Sequence, residues 1–240
     1  MEISLMVVTY YNKDKKTLLY CPTAKRDAVI PEGVEEIRND CFFGCQLTSI
    51  SLPSTLLYIG ESAFENSALT SIVIGTQQSS ASNSYAPKQT NSSQQSITIG
   101  AYAFGQCDDL KMVVLGSNIS EIGSSAFSSC TSLTDVYTYS ITPQAIDLWT
   151  FGNVFPYDGN PSCKATLHVL PGCKASYETA EAWSSFNEII EDAQITGIRT
   201  TTSNTTASDD EGCYYDLMGR KTNSQVSGIY IKNGKKIIVK

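Results

Sequence analysis

A short pattern recurs five times along this chain: an isoleucine, four residues, then a phenylalanine. The copies are Ile37-RNDC-Phe42, Ile59-GESA-Phe64, Ile99-GAYA-Phe104, Ile122-GSSA-Phe127 and Ile146-DLWT-Phe151. The phenylalanines stand 22, 40, 23 and 24 residues apart, and the 40 is one period plus an insertion of 17. Four of them are followed by a leucine and an alternating apolar run: Leu47/Ile50/Leu52, Leu69/Ile72/Ile74, Leu110/Val113/Leu115 and Leu133/Val136/Thr138. A period this short holds one strand, a turn and a second short strand or helical turn. Such a unit cannot bury its apolar side alone, so the copies must stack into a quasi-one-dimensional solenoid. The expected fold is mainly β, with about five turns of 22–24 residues and a small β unit at the C-terminus.

Written as I-x-x-x-A-F-x-x-C-x-x-L-x-x-(I/V)-x-L, the pattern resembles the BspA-like leucine-rich repeats of bacterial surface proteins. The resemblance covers about residues 15–190, and its best copies start at Ile99 and Ile122. The lead-in from Thr17 to Ile37 is similar to that family's first turn. The stretch from Pro143 through Phe151 to Phe186 is similar to its closing turn. Ser67 in the cysteine column, Cys41 in the alanine column and the insertion depart from the pattern.

The ends read as caps. Leu5 to Tyr11 and Thr17 to Tyr20 are β-rich runs around the turn residues Asn12-Lys13-Asp14, which predicts a hairpin that hides a sheet edge. At the other end, Thr166–Leu170 reads as a strand, Pro171-Gly172 as a turn and Lys174–Ala182 as a short helix. Tyr177, Ala180 and Trp183 would share one face of it, extended by Phe186 and Ile189. Gly75–Ser96 is polar, with one charge at Lys88, and is expected to be a surface insertion too polar to repay its ordering by burial.

The expected organisation is a solenoid over 1–194, a linker over 195–212 and a small β segment over 213–240. The last of these carries six Lys/Arg and one Asp, a net of +5, against −12 for the rest of the chain. Its Asn233-Gly234 pair is a hairpin signal. Tyr215-DLMGRK and Gly228-IYIKNGKKIIVK resemble the C-terminal sorting segment of Bacteroidetes proteins exported by the type IX system. That resemblance implies export machinery as a partner, and a secreted or cell-surface protein. Met1-Glu2-Ile3-Ser4 has no basic n-region, so a signal peptide is expected to precede or to have been removed from this sequence.

Composition narrows the function. A net charge of −7 with one histidine argues against nucleic-acid binding. No apolar run reaches the ~18 residues of a transmembrane helix. No glycine-rich phosphate loop, nucleophile elbow or H-E-x-x-H motif is present, and no cofactor or metal is expected. Cys45, Cys107 and Cys130 each lie three residues after a repeat phenylalanine, which predicts a buried packing column. A Cys107–Cys130 or Cys163–Cys173 disulfide is the alternative open to these residues. His168, between Leu167 and Val169, is expected to face outward as an ordinary surface residue.

Alternation along the strands gives the binding candidates. If the Leu, Ile and Val positions face the core, one outward row is Ser49, Ser71, Met112, Asp135 and the next is Ser51, Val73, Val114, Tyr137. Val73, Met112, Val114, Tyr137 and Tyr139 form the expected contact patch, because exposed apolar patches mark interaction sites. The expected function is non-enzymatic recognition of a protein or glycan through the repeat sheet, and the resemblance to BspA-like surface proteins implies adhesion to a host-matrix or bacterial-surface partner. The alternative is a structural spacer with no ligand of its own. Glycan hydrolysis would need two carboxylates facing across a cleft at ~5–9.5 Å, and the strand rows supply only Asp135.

Overall fold

The computed structural model describes residues 10–21, 26–75, 95–152 and 163–193, together with the strands of a C-terminal unit. The chain divides into two compact units, Met1–Ala193 and Gln194–Lys240.

In the first unit the strands are β1 (Tyr10–Tyr11), β2 (Thr17–Tyr20), β3 (Asp27–Val29), β4 (Glu36–Ile37), β5 (Ser49–Ser51), β6 (Tyr58–Ile59) and β7 (Ser71–Ile74). They continue with β8 (Ile97–Ile99), β9 (Met112–Leu115), β10 (Ile119–Ile122), β11 (Asp135–Thr138), β12 (Cys163–His168) and β13 (Phe186–Ile190). One six-stranded sheet runs β1-β2-β4-β6-β8-β10, and a five-stranded sheet runs β13-β12-β11-β9-β7. All neighbours in both are parallel except β1 and β2. The repeats of Ile59, Ile99 and Ile122 therefore give their isoleucine strand to the first sheet and their second strand to the other, while the second strand of the Ile37 repeat, β5, pairs with β3 in a separate two-stranded sheet. This is the solenoid that the period requires.

The phenylalanines form its spine. Phe42, Phe64, Phe104, Phe127 and Phe151 stack ring on ring at 4.7–5.0 Å with interplanar angles of 8° or less. All five are buried. Even the corner they occupy is bonded turn to turn: the amides of Phe42, Phe64 and Phe104 donate to the carbonyls of Ala63, Ala103 and Ala126, each at 2.7 Å. Gly60, Gly100 and Gly123 follow the repeat isoleucines for a steric reason. A Cβ there would stand 2.4, 2.6 and 2.5 Å from the backbone nitrogens of Asn39, Glu61 and Ala101 in the preceding turn. Two columns of left-handed residues flank the stack: Asp40, Ser62, Tyr102 and Ser125 before the phenylalanines, and Gly44, Asn66, Gln106 and Ser129 after them.

The caps differ from expectation in detail. The N-terminal hairpin is present as β1 against β2, and Leu5–Thr9 lies outside the described residues. The C-terminal strand is Cys163–His168 in place of Thr166–Leu170. The helix α1 spans Lys174–Thr179 and stops at Ala180, whose backbone is extended; a 3-10 turn, Trp183–Ser185, follows. The break lets the Trp183 indole donate to the Gln144 carbonyl at 2.8 Å while its ring lies 5.6 Å from Phe151. Tyr177 and Trp183 are both buried and meet edge to face, from two elements where one helix was expected. Phe186 and Ile189 belong to the last strand, β13. Residues 76–94 of the insertion lie outside the described residues.

Among its described residues the second unit has four strands, β14 (Tyr214–Tyr215), β15 (Lys221–Thr222), β16 (Gly228–Lys232) and β17 (Lys235–Val239), in the order β15-β14-β16-β17. β16 and β17 pair antiparallel with Lys232 opposite Lys235. The register leaves two residues between them, as Asn-Gly hairpins require. Among the described residues, no helix is long and apolar enough to cross a membrane.

Candidate functional site

The five-stranded sheet carries the outward rows. Its register places Ser71, Met112, Asp135, Thr166 and Glu188 in one row, and Val73, Val114, Tyr137, His168 and Ile190 in the next. In the first row Ser71, Met112, Asp135 and Thr166 are half-buried, and Glu188 is exposed. The second row behaves differently. Val73 is half-buried, but Val114 is fully buried and Tyr137 only 8% exposed. Tyr139, one step beyond the strand, is fully buried as well. Three of the five expected contact residues are therefore unavailable to a partner; Val73 and Met112 remain. Alternation gave the correct side of the sheet but not exposure: at this level β9 and β11 are buried on both faces, as parallel strands commonly are.

His168 also departs from expectation. It is 6% exposed. Its ring stacks on that of Tyr137 at 4.0 Å and 12°, so each covers a face of the other. Nδ1 lies 2.7 Å from Asp192 Oδ1 and Nε2 lies 2.9 Å from Asp135 Oδ1. The other oxygen of Asp135 accepts the Thr134 hydroxyl at 2.7 Å. The imidazole thus fills the space between two carboxylates and ties β11 and β12 to the chain after β13. No substrate could enter between the acids, so this is a clasp. The sequence placed Asp135 and His168 on the same side of the sheet, but a pairing across 33 residues, completed by Asp192, leaves no local signal.

The cysteine column is packing. Cys107 donates its thiol to the Phe64 carbonyl at 3.1 Å, and Cys130 to the Phe104 carbonyl at 3.2 Å. Ser67 stands in the same column with its hydroxyl 3.3 Å from the Cys107 sulfur, which explains why serine substitutes there. Among the described residues Cys21, Cys41, Cys45, Cys107, Cys130, Cys163 and Cys173 are all buried and none is in a disulfide, so neither Cys107–Cys130 nor Cys163–Cys173 is bridged. Burial pushes the Cys45 and Cys163 thiols up to about 11, and raises those of Cys41, Cys107 and Cys130. A thiol held protonated is a poor nucleophile. No group of three or more His, Cys, Asp or Glu side chains among the described residues is placed to hold a metal.

Large apolar side chains are exposed toward both ends of the described solenoid, Val29 of β3 among them. Tyr102, Ile141, Leu148 and Trp149 are exposed near the C-terminal half of the solenoid. Trp149 and Leu148 line a cleft of about 300 Å³ with Ile146, Asp147, Glu181 and Ala182. The Asp147 carboxylate accepts the Trp149 amide and the Thr150 hydroxyl, both at 3.0 Å. Burial pulls its pKa upward. Hydrogen bonds from Ser124, Thr150 and the amides of Trp149 and Ser125 outweigh this and hold the carboxyl below its usual range.

Comparison with known proteins agrees with this architecture. The BspA type leucine rich repeat region matches in 6 copies over residues 16–154, more than half of the chain. A comparison with curated proteins found no significant match. Among solved structures, the pneumococcal vaccine antigen PcpA superposes with a TM-score of 0.52 at 18% identity, over 77% of this chain and 46% of that one. A leucine-rich repeat protein from Bacteroides ovatus gives 0.38 at 17% identity, over 68% of this chain and 44% of that one. A leucine rich cell surface protein from Faecalibacterium prausnitzii gives 0.23 at 19% identity, over 70% and 60%. The chain spans about half the length of the first two. With its six matched repeats and two parallel ladders, the chain belongs to the BspA-type leucine-rich repeat family.

Proposed function

We propose that this chain is a non-enzymatic recognition protein, secreted or held at the cell surface, that adheres to a host-matrix or bacterial-surface partner. The observation that carries the reading is the outward row Ser71–Met112–Asp135–Thr166–Glu188. Five parallel strands hold it in fixed register, and every strand is anchored from behind by the buried core. Such a row offers many contacts with little ordering cost, which favours binding by a preorganised surface. The names of two similar structures, a vaccine antigen and a cell surface protein, fit this reading. The C-terminal unit serves in export, as its resemblance to type IX sorting segments suggests.

The row is tested with the full chain against immobilised matrix proteins and whole bacterial cells. Met112→Glu, which puts charge at the row's one apolar residue, is expected to weaken binding of the captured partner at least tenfold with no change in melting temperature. Equal affinity would remove the row. Absence of any partner would leave the spacer reading.

A further inference from the structure

The column two residues before each repeat phenylalanine runs Asp40, Ser62, Tyr102, Ser125, Trp149. Three of its members are small or polar. The other two are large aromatics and are exposed, Tyr102 by 44% and Trp149 by 43%. Ser125 between them is recessed at 7%. Successive turns here are 5.0 Å apart at the phenylalanine stack, so the two aromatic positions stand about 10 Å apart along the solenoid axis, with one strand-to-strand step on each side of the serine.

Both aromatics leave close to half of their surface in solvent. Tyr102 holds φ +54, a left-handed backbone that is strained for a bulky residue and that Asp40, Ser62 and Ser125 occupy in the other turns. A tyrosine kept at a strained position with its ring partly open to solvent is available to a ligand. Trp149 is fixed by the Asp147 carboxylate at its amide and opens onto the cleft with Glu181. The chain's other tryptophan, Trp183, is buried.

We propose that Tyr102 and Trp149 form a ridge that binds a neutral, linear β-linked polysaccharide along the turn edge. The C–H face of a pyranose is apolar and stacks on an aromatic ring, while its rim carries hydroxyl donors. Extended β-1,4 chains advance about 5 Å per sugar, so two rings about 10 Å apart meet sugars i and i+2, and the recessed serine passes beneath sugar i+1. The Glu181 carboxylate beside Trp149 accepts hydroxyls. A proline-rich peptide has a similar rise over three residues, but its exposed carbonyls are acceptors that would face the carboxylates of Asp147 and Glu181 without a donor. The net charge of −7 disfavours acidic polysaccharides. This site lies on the turn edge, apart from the outward sheet row, so it extends the recognition reading to a second surface.

The full chain is titrated calorimetrically with cellohexaose, xylohexaose, mannohexaose and chitohexaose, with the matching disaccharides and a proline-rich peptide as comparisons. Binding of at least one hexasaccharide, at least tenfold tighter than its disaccharide, is expected. Trp149→Ala and Tyr102→Asn should each weaken it at least tenfold. Because asparagine tolerates the left-handed backbone, Tyr102→Asn should also raise the melting temperature, so its loss of binding cannot be unfolding. Met112→Glu should leave sugar binding unchanged, which separates failure of the ridge from failure of the sheet. Silence with all four hexasaccharides, preference for the peptide, unchanged affinity in Trp149→Ala, or a lower melting temperature in Tyr102→Asn would overturn the proposal.

Discussion

The middle turns of the solenoid and the turn that closes it fill the same position with opposite residues. After Ile59, Ile99 and Ile122 stands a glycine, because the preceding turn's backbone leaves no room for a Cβ. After Ile146 stands Asp147, whose carboxylate binds Trp149 and Thr150 in its own turn. The middle is held by close approach of main chains; the end is held by side-chain hydrogen bonds to a charged group. Sensitivity to mutation should differ accordingly, steric and independent of pH in the middle, electrostatic and pH-dependent at the close.

The largest effect should come from Gly100→Ala. The added methyl would lie 2.6 Å from the Glu61 nitrogen and 2.8 Å from the Gly60 carbonyl carbon. The main chain of the preceding turn cannot yield without breaking the ladder, so a loss of about 3 kcal/mol is expected in denaturant unfolding. A change within experimental error would mean that the turns are not in such close contact.

A smaller effect separates the closing turn. Asp147→Ala removes the acceptor for the Trp149 amide and the Thr150 hydroxyl, at a cost of about 2 kcal/mol near neutral pH. The folded carboxyl is held below its ordinary pKa. Its contribution is therefore fully present above the unfolded value near 4 and is lost as pH falls through the lower folded value. The stability gap between wild type and Asp147→Ala should narrow as pH falls below about 4, while the Gly100→Ala gap persists. A gap at the closing turn that does not change with pH would contradict the side-chain account.

The same contrast explains what was legible in the sequence. The repeat period dictated the solenoid, and the cysteine column was legible as buried packing because identical residues one period apart must become neighbours. The close-packed glycines and left-handed corners were visible only as letters, since their cause lies in the neighbouring turn's backbone. The contact patch was misplaced at Val114, Tyr137 and Tyr139. Period-2 alternation tells which side of a sheet a residue takes, but not whether that side is open. The pairing of His168 with Asp135 and Asp192 joins residues 33 and 24 positions apart. Tyr102 and Trp149 were readable as a column once the repeats were aligned; their exposure was not.

A protein that recognises partners outside the cell must be displayed there. Intact producing cells are treated with added protease, alongside a cytoplasmic control that must survive. Cleavage of this chain is the predicted result and would justify the search for host, bacterial and polysaccharide partners. Complete protection on intact cells, with cleavage only after lysis, would contradict extracellular adhesion and reduce the basic C-terminal unit to a β-structure without a role in export.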